Sequence, residues 1–224
     1  MTARTKIKDR ILPVYTVGEE IFNMVSHIVG GAVGVATLTV CVIIAALKGS
    51  VAGVISSAMF GASMIILYTM SSIYHGLRGE TAKKVFQVID HCTIYFLIAG
   101  TYTPMLICAL RRTAPVAAWI TLGAVWGLTA LAVTLTAIDL KKYKVFSMIC
   151  YIAIGWSIIF SIGKMYAALG AAGFWLLLSG GIAYTSGVVF YKLGKDIKYF
   201  HSIFHLFTLA GSILHALCVI FYVL

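Results

Sequence analysis

Apolar runs long enough to cross a bilayer follow one another along almost the whole chain. A membrane-spanning helix needs about 20 apolar residues. The sequence offers seven such runs, at residues 20–47, 51–77, 88–110, 115–138, 145–163, 174–191 and 200–223. The break between the fifth run and the sixth rests only on Lys164 and the glycine-rich residues 170–173. The sequence therefore predicts an all-α membrane protein in which residues 1–224 form a single seven-helix transmembrane bundle.

The composition supports a bilayer as the solvent. Hydrophobic residues make up 61% of the chain and charged residues 11%, whereas soluble domains carry about 25% charged residues. Too few polar side chains remain to cover a surface in water, and no polar stretch is long enough to fold alone. A soluble enzyme or a soluble binding module is therefore excluded.

The basic residues are distributed unevenly between the two sides of the predicted bundle. Of 17 Lys and Arg residues, 13 fall in the N-terminal arm or in the second–third, fourth–fifth and sixth–seventh loops. Loops rich in Lys and Arg stay in the cytoplasm, so we expect a cytoplasmic N-terminus and a C-terminus outside the cell membrane. The formal net charge of +10 then reflects topology and attraction to anionic lipids, and no nucleic-acid partner is expected.

Ionisable side chains inside a membrane are costly, so each of them needs an explanation. Given seven helices, the side chains of His75, Asp90, His201 and His205 all lie in the cytoplasmic leaflet. His201 and His205 are four residues apart, which places both imidazoles on one helix face. With His75 from another helix, they form a set that suits one tetrahedral metal ion whose fourth position is open to water.

Ser71 and Asp90 are expected close to these histidines. Ser71 is one turn before His75 on the same helix face, and Asp90 follows across a short loop. Hydrolysis by a metal-activated water uses such groups, one to accept the proton and the other to hold or polarise the reacting oxygen. The residues alone leave a network of interhelical hydrogen bonds or a proton relay open as alternatives to a metal site.

Four further polar residues lie near the same depth. Glu20, Asn23 and His27 recur at three- and four-residue spacing and form one polar stripe on the first helix, which we expect to face the bundle interior. They serve either packing and hydrogen bonding or the support of the metal site. His91 points about 100° away from Asp90, so we assign the functional role to Asp90 and an interhelical hydrogen bond, near the site, to His91.

Four segments taken together resemble one known family. They are EEIFNMVSHIVG in the first helix, SSIYHGL closing the second, IDHCTIYFLIAGTYTP opening the third and HSIFHLFTLAGSILH in the seventh. The combination is similar to the hemolysin III branch of the progestin and adipoQ receptor family, which is similar to adiponectin receptors and alkaline ceramidases with their intramembrane zinc. The resemblance implies Zn2+ on His75, His201 and His205, with Asp90 and Ser71 around the metal-activated water.

The resemblance and the residues together predict a zinc-dependent hydrolase of lipid amides or esters. Asp90 would be the general base, Ser71 would orient the water or the developing oxyanion, and the substrate would enter laterally from the inner leaflet. The alternative is a non-enzymatic membrane sensor or regulator with structural zinc, a reading that fits a family linked to membrane homeostasis and, on overproduction, to cytolysis. A transporter or proton channel is disfavoured because the outer leaflet holds almost no ionisable residue.

Overall fold

The computed structural model describes residues 4–224, in which most of the chain is helical and no strand occurs. The helices are α1 (Val17–Leu47), α2 (Val51–Gly76), α3 (Glu80–Thr113), α4 (Pro115–Ile138), α5 (Lys144–Gly155), α6 (Ile162–Leu193) and α7 (Phe200–Val223). Within residues 4–224, six helical stretches are long and apolar enough to cross a membrane, with α5 and α6 forming one of them. The predicted helical membrane bundle is therefore confirmed.

Helix α3 begins at Glu80, well before residue 88, where the apolar run starts. The charged residues of its first turns have partners within reach and do not end the helix. Lys84 is buried, contacts the carboxylate of Glu80 at 2.6 Å and donates to the backbone carbonyl of Lys8 at 3.0 Å. A Lys side chain can bury its methylene groups and still place the ammonium group near polar partners. A helix start predicted from the position of charged residues therefore falls too late in the sequence here.

The stretch formed by α5 and α6 folds back on itself. It covers Lys144–Leu193, which is 50 residues, and a single crossing needs about 20. Gly170 interrupts the helix with φ 68 and ψ 176, a conformation that glycine adopts without steric cost. The indole Nε1 of Trp156 donates to Thr185 Oγ1 at 3.0 Å. That hydrogen bond joins the segments before and after Gly170, so the chain reverses direction between them.

The first residues of α1 and α7 lie side by side. Thr16 and Glu19 form a reciprocal N-cap, in which the Glu19 carboxylate accepts the Thr16 backbone N–H at 2.9 Å and the Thr16 hydroxyl accepts the Glu19 N–H at 3.3 Å. Such a box satisfies two of the free N–H groups at a helix start. The second oxygen of Glu19 accepts the backbone N–H of Tyr199 at 2.7 Å, which fixes the residue just before α7.

The N-terminal arm, residues 4–16, covers the same end of the bundle. The backbone N–H of Thr5 donates to Asp139 Oδ2 at 2.7 Å, and Asp139 Oδ1 accepts the backbone N–H groups of Lys141 and Lys142 at 3.1 Å each. Burial raises the pKa of the Asp139 carboxyl, but the backbone donors outweigh this effect and the net pKa is lowered. Asp139 is therefore ionised at neutral pH and holds the arm at the end of α4.

Glycines set the close packing of α1 against α2. A Cβ atom built on Gly30 would lie 2.4 Å from the Tyr68 ring, and one on Gly61 would lie 2.5 Å from the Cβ and 2.6 Å from the Cα of Leu38. Small residues let two membrane helices approach until their backbones are in contact. This approach brings the polar stripe of α1 against the end of α2.

Gly61→Ala is expected to destabilise the protein by about 2 kcal/mol or more, because overfilling a tight contact forces the backbone to move. The clash involves the Cα atom of Leu38, which cannot rotate away, so the two helices must separate. The measurement is the thermal unfolding midpoint of the purified protein in detergent. Gly127→Ala is the matched control, since a Cβ at Gly127 meets nothing within 4 Å. Equal midpoints for the two variants would contradict the close contact.

Candidate metal centre

Three histidines from two helices meet inside the bundle. His75 lies in the last turn of α2, and His201 and His205 lie in the first two turns of α7. All three are buried, with exposed fractions of 3%, 8% and 2%. The four-residue spacing puts the two histidines of α7 on one face, and the packing of helices far apart in the sequence adds His75. These are the three residues that the sequence analysis grouped.

The ring nitrogens of these histidines point toward a common centre. One ligand nitrogen from each of His75, His201 and His205 lies within 4.8 Å of the other two. The Nε2 atoms of His201 and His205 are 3.1 Å apart. The centroid of the His75 ring lies 5.4 Å from that of His201 and 4.9 Å from that of His205. No carboxylate or cysteine among residues 4–224 joins this group of mutually close atoms.

Glu20 fixes the orientation of His75. The Glu20 Oε2 atom is 2.7 Å from His75 Nδ1, and the Glu20 Oε1 atom accepts from Lys83 Nζ at 2.5 Å. A carboxylate on one imidazole nitrogen selects the tautomer whose other nitrogen has a free lone pair, as in many metal sites. Glu20 belongs to the polar stripe for which the sequence left both packing and support of the metal site open, and Lys83 is a second partner of its carboxylate.

The histidine nitrogens fit a divalent metal ion. His75 Nε2 is buried and has no hydrogen-bond partner among the described residues, so it is available as a ligand atom. The two Nε2 atoms on α7 face each other, and a neutral imidazole carries only one N–H to donate. In a tetrahedral site with Zn–N bonds of about 2.0–2.1 Å, ligand nitrogens lie about 3.4 Å apart. Three neutral imidazoles suit zinc among the common metals.

Ser71 and Asp90 lie on different helices and differ in their burial. Ser71 is buried one turn before His75 on the same face of α2. Asp90 is partly buried on α3, and no described residue donates a hydrogen bond to its carboxylate, which lies 3.9 Å from the ring of its neighbour His91. The carboxylate is therefore free of structural hydrogen bonds to the described residues and remains outside the group of mutually close ligand atoms.

The remaining polar residues of α1 contact α7. Asn23 Oδ1 accepts from the Ser202 hydroxyl at 2.7 Å. The His27 ring stacks on the His205 ring with centroids 3.8 Å apart and an angle of 19°. Both ring nitrogens of His27 are buried without a hydrogen-bond partner among the described residues. The stripe formed by Glu20, Asn23 and His27 thus faces the bundle interior, where Glu20 contacts His75 and His27 contacts His205.

His91 is not one of the three histidines whose ligand nitrogens lie close together. Its Nδ1 donates to the backbone carbonyl of Gln87 at 2.8 Å, and its Nε2 lies 3.4 Å from the hydroxyl of Tyr191 on α6. The backbone carbonyl of His91 also accepts from the Tyr151 hydroxyl at 2.8 Å. The contacts of His91 therefore tie α3 to its neighbours.

Tyr15 is a site residue that the sequence analysis did not single out. Its ring stacks on His201 with centroids 4.9 Å apart and an angle of 25°, and it lies 6.0 Å from the His75 ring. Burial raises the pKa of the Tyr15 hydroxyl well above its ordinary range, and the charges of Glu20 and Asp90 add to this effect. Tyr15 precedes the first apolar run, so neither periodicity nor membrane depth points to it.

Comparisons with known proteins identify the family of the chain. The chain matches the family described as Haemolysin-III related over residues 15–216. Hemolysin-3 of Bacillus cereus is 38% identical over 208 residues, which cover 93% of each chain. The Hemolysin-3 homolog of Bacillus subtilis (strain 168) is 37% identical over 209 residues, which cover 93% of this chain and 96% of the relative. Monocyte to macrophage differentiation factor of Homo sapiens is 28% identical over 169 residues, covering 72% of this chain and 67% of the relative. The chain therefore belongs to the haemolysin III-related family of multi-pass membrane proteins, within the progestin and adipoQ receptor superfamily.

Proposed function

We propose that this chain is a metal-dependent hydrolase that cleaves an amide or ester bond of a membrane lipid. The observation that carries the proposal is the meeting of His75, His201 and His205, with one ligand nitrogen from each within 4.8 Å of the other two. Ionisable residues buried at membrane depth are expensive and mark functional sites. Three of them converging from distant parts of the chain exceed what packing alone requires.

We further propose that the chain crosses the membrane seven times with its N-terminus in the cytoplasm. The return of the chain at Gly170 supports this proposal, because it would divide the 50-residue stretch into two crossings. The N-terminal arm, the start of α3 and the end of α4 are joined by hydrogen bonds at the end of the bundle that carries the histidines. Most Lys and Arg residues of the loops belong to that end, and basic loops stay in the cytoplasm.

His75, His201 and His205 would hold the ion, and zinc is the metal that best matches three imidazole ligands. When bound, zinc supplies Lewis-acid chemistry, because it polarises a carbonyl group and acidifies water. The Asp90 carboxylate, free of other hydrogen bonds among the described residues, would accept a proton from the attacking water. The Ser71 hydroxyl would donate a hydrogen bond to the oxygen that gains negative charge.

The depth of the site favours a lipid as substrate. The histidines lie within two turns of the ends of α2 and α7, which corresponds to about 10 Å at a rise of about 1.5 Å per residue. Amide and ester linkages of lipids lie just below the headgroups, at a comparable depth. A lipid of the adjacent leaflet would reach the site laterally, without leaving the membrane.

The test is lipid hydrolysis by the wild-type chain in nanodiscs, with a panel of lipid amides and esters. The zinc-loaded chain is expected to release fatty acid from at least one class about 100-fold faster than the chelator-treated chain, and added zinc should restore the rate. Equal release by loaded and depleted protein would reject the proposal. Retention of zinc without release from any lipid would favour a sensor or regulator in which the ion is structural.

A further inference from the structure

A cavity of about 190 Å³ lies under the N-terminal arm, away from the histidine group. Two arginines of the arm, Arg4 and Arg10, contribute its charge. The other walls are apolar and come from the arm, α3 and the end of α4, with Ile7, Val88, Ile89 and Ala137 among the lining residues. The cavity thus combines a cationic side with a hydrophobic side.

Arg10 is the unusual member of this cavity. Its exposed fraction is only 6%. Its Nε and Nη1 atoms are buried and have no hydrogen-bond partner among the described residues, and no carboxylate in residues 4–224 lies within 4.0 Å of its guanidinium. A buried charge without a partner is expensive. The guanidinium therefore has no anionic partner among residues 4–224, and a bound anion would stabilise it.

The carboxylate at the end of α4 is already engaged by backbone donors. The Asp139 carboxylate accepts three backbone N–H groups, including that of Thr5 in the arm. The backbone carbonyl of Lys8 is held by the ammonium group of Lys84. These two contacts hold the arm against the ends of α3 and α4, and neither of them involves the Arg10 side chain.

The apolar walls point to the source of the anion. Ile7, Val85 and Ala137 are exposed on the bundle surface beside the cavity, where acyl chains would contact them. The site lies where α3 begins and α4 ends, which is the membrane boundary in the proposed seven-crossing arrangement and the depth at which lipid headgroups are found. Arg donors match phosphate oxygens in a two-pronged geometry.

We propose that this cavity binds the phosphate group of an anionic phospholipid. The Arg10 guanidinium, which lines the cavity, donates to the phosphate oxygens, Arg4 adds a second cation, and the apolar walls contact the upper acyl chains. The bound lipid would fasten the arm, and with it Tyr15, over the end of the bundle. This site is independent of the proposed hydrolysis, so either proposal can fail without the other.

The experiment is native mass spectrometry of the full-length chain in detergent, titrated with phosphatidylglycerol or with a diacylglycerol of the same acyl chains. Wild type is expected to bind phosphatidylglycerol at least about tenfold more tightly than diacylglycerol. Arg10→Gln should remove most of this preference, and Arg4→Gln, at an exposed position that does not threaten folding, should reduce it. Lys6→Gln is the matched control, since it removes one exposed charge of the same arm outside the cavity lining.

The proposal is overturned if Arg10→Gln and Arg4→Gln both bind phosphatidylglycerol as tightly as Lys6→Gln does. A second arm of the experiment adds millimolar inorganic phosphate as a competitor. Persistence of the bound lipid supports a phospholipid as the ligand. Full displacement by phosphate, dependent on Arg10, would overturn the lipid as the source and assign the cavity to a free phosphate.

Discussion

His205→Ala is expected to reduce bound zinc from about one ion per chain to the background level, because two remaining histidines hold a metal far more weakly than three. The His205 ring lies at the middle of the cluster, with its Nε2 3.1 Å from that of His201 and its ring stacked on His27. Lipid hydrolysis should fall to the rate of the metal-depleted wild type. Elemental analysis of the purified protein measures the first effect, and fatty-acid release measures the second.

His215→Ala is the matched control for this experiment. His215 is also a buried histidine of α7, but its Nε2 donates to the backbone carbonyl of Leu177 at 3.0 Å and its ring packs on Gly180. The variant loses an imidazole and leaves a similar void, so it reports the structural cost alone. Full zinc in His205→Ala, or equal zinc loss in both variants, would contradict the assigned centre.

Asp90→Asn is expected to lower the turnover number about 100-fold or more while leaving the zinc content unchanged. A positioned general base contributes about 10²–10⁴-fold to a rate, and asparagine keeps the shape of the side chain without the ability to accept the proton. The Asp90 carboxylate is not one of the mutually close ligand atoms, so the ion should remain. The measurement is the turnover of the best lipid of the panel, with metal analysis of the same sample.

Asp196→Asn supplies the comparison for Asp90→Asn. Asp196 is an exposed carboxylate in the loop before α7, at the same end of the bundle. Turnover equal to wild type is expected for this variant. If Asp90→Asn hydrolyses lipid as fast as Asp196→Asn, the carboxylate of residue 90 takes no part in the chemistry. Loss of zinc from Asp90→Asn would instead identify Asp90 as a fourth protein ligand. Four protein ligands are typical of a structural zinc ion.

The grouping of the three histidines could be predicted because two simple periodicities are enough for it. The four-residue spacing of His201 and His205 fixes a common helix face. Successive membrane-spanning helices run in opposite directions, so the end of the second helix, with His75, lies in the same leaflet as the start of the seventh. Neither argument depends on side-chain rotamers or on exact helix ends, and the structure places one nitrogen of each residue within 4.8 Å of the others.

The supporting contacts of the site were harder to predict because they depend on tertiary geometry. The polar stripe on α1 indicated that Glu20 faces inward, but its bond to His75 and its pairing with Lys83 require the relative rotation of three helices. Tyr15 lies outside every apolar run, and only the path of the arm brings it onto His201. Short-range sequence patterns carry no information about such placements.

The fold shows the same division between local and long-range information. Long apolar runs predicted the membrane bundle, since hydropathy alone decides which segments a bilayer can accept. The start of α3 at Glu80 escaped prediction because Lys84 reaches the arm and its charge does not end the helix. The reversal at Gly170 shows only as a glycine-rich stretch in the sequence, and its left-handed backbone appears in the structure.

X-ray absorption at the zinc edge of the purified wild-type protein tests the central claim most directly, because it counts and identifies the atoms around the ion. The account predicts about three imidazole nitrogens at about 2.0–2.1 Å and no sulfur neighbour. Purified protein without zinc, or a spectrum dominated by sulfur at about 2.3 Å, would contradict a centre built from His75, His201 and His205.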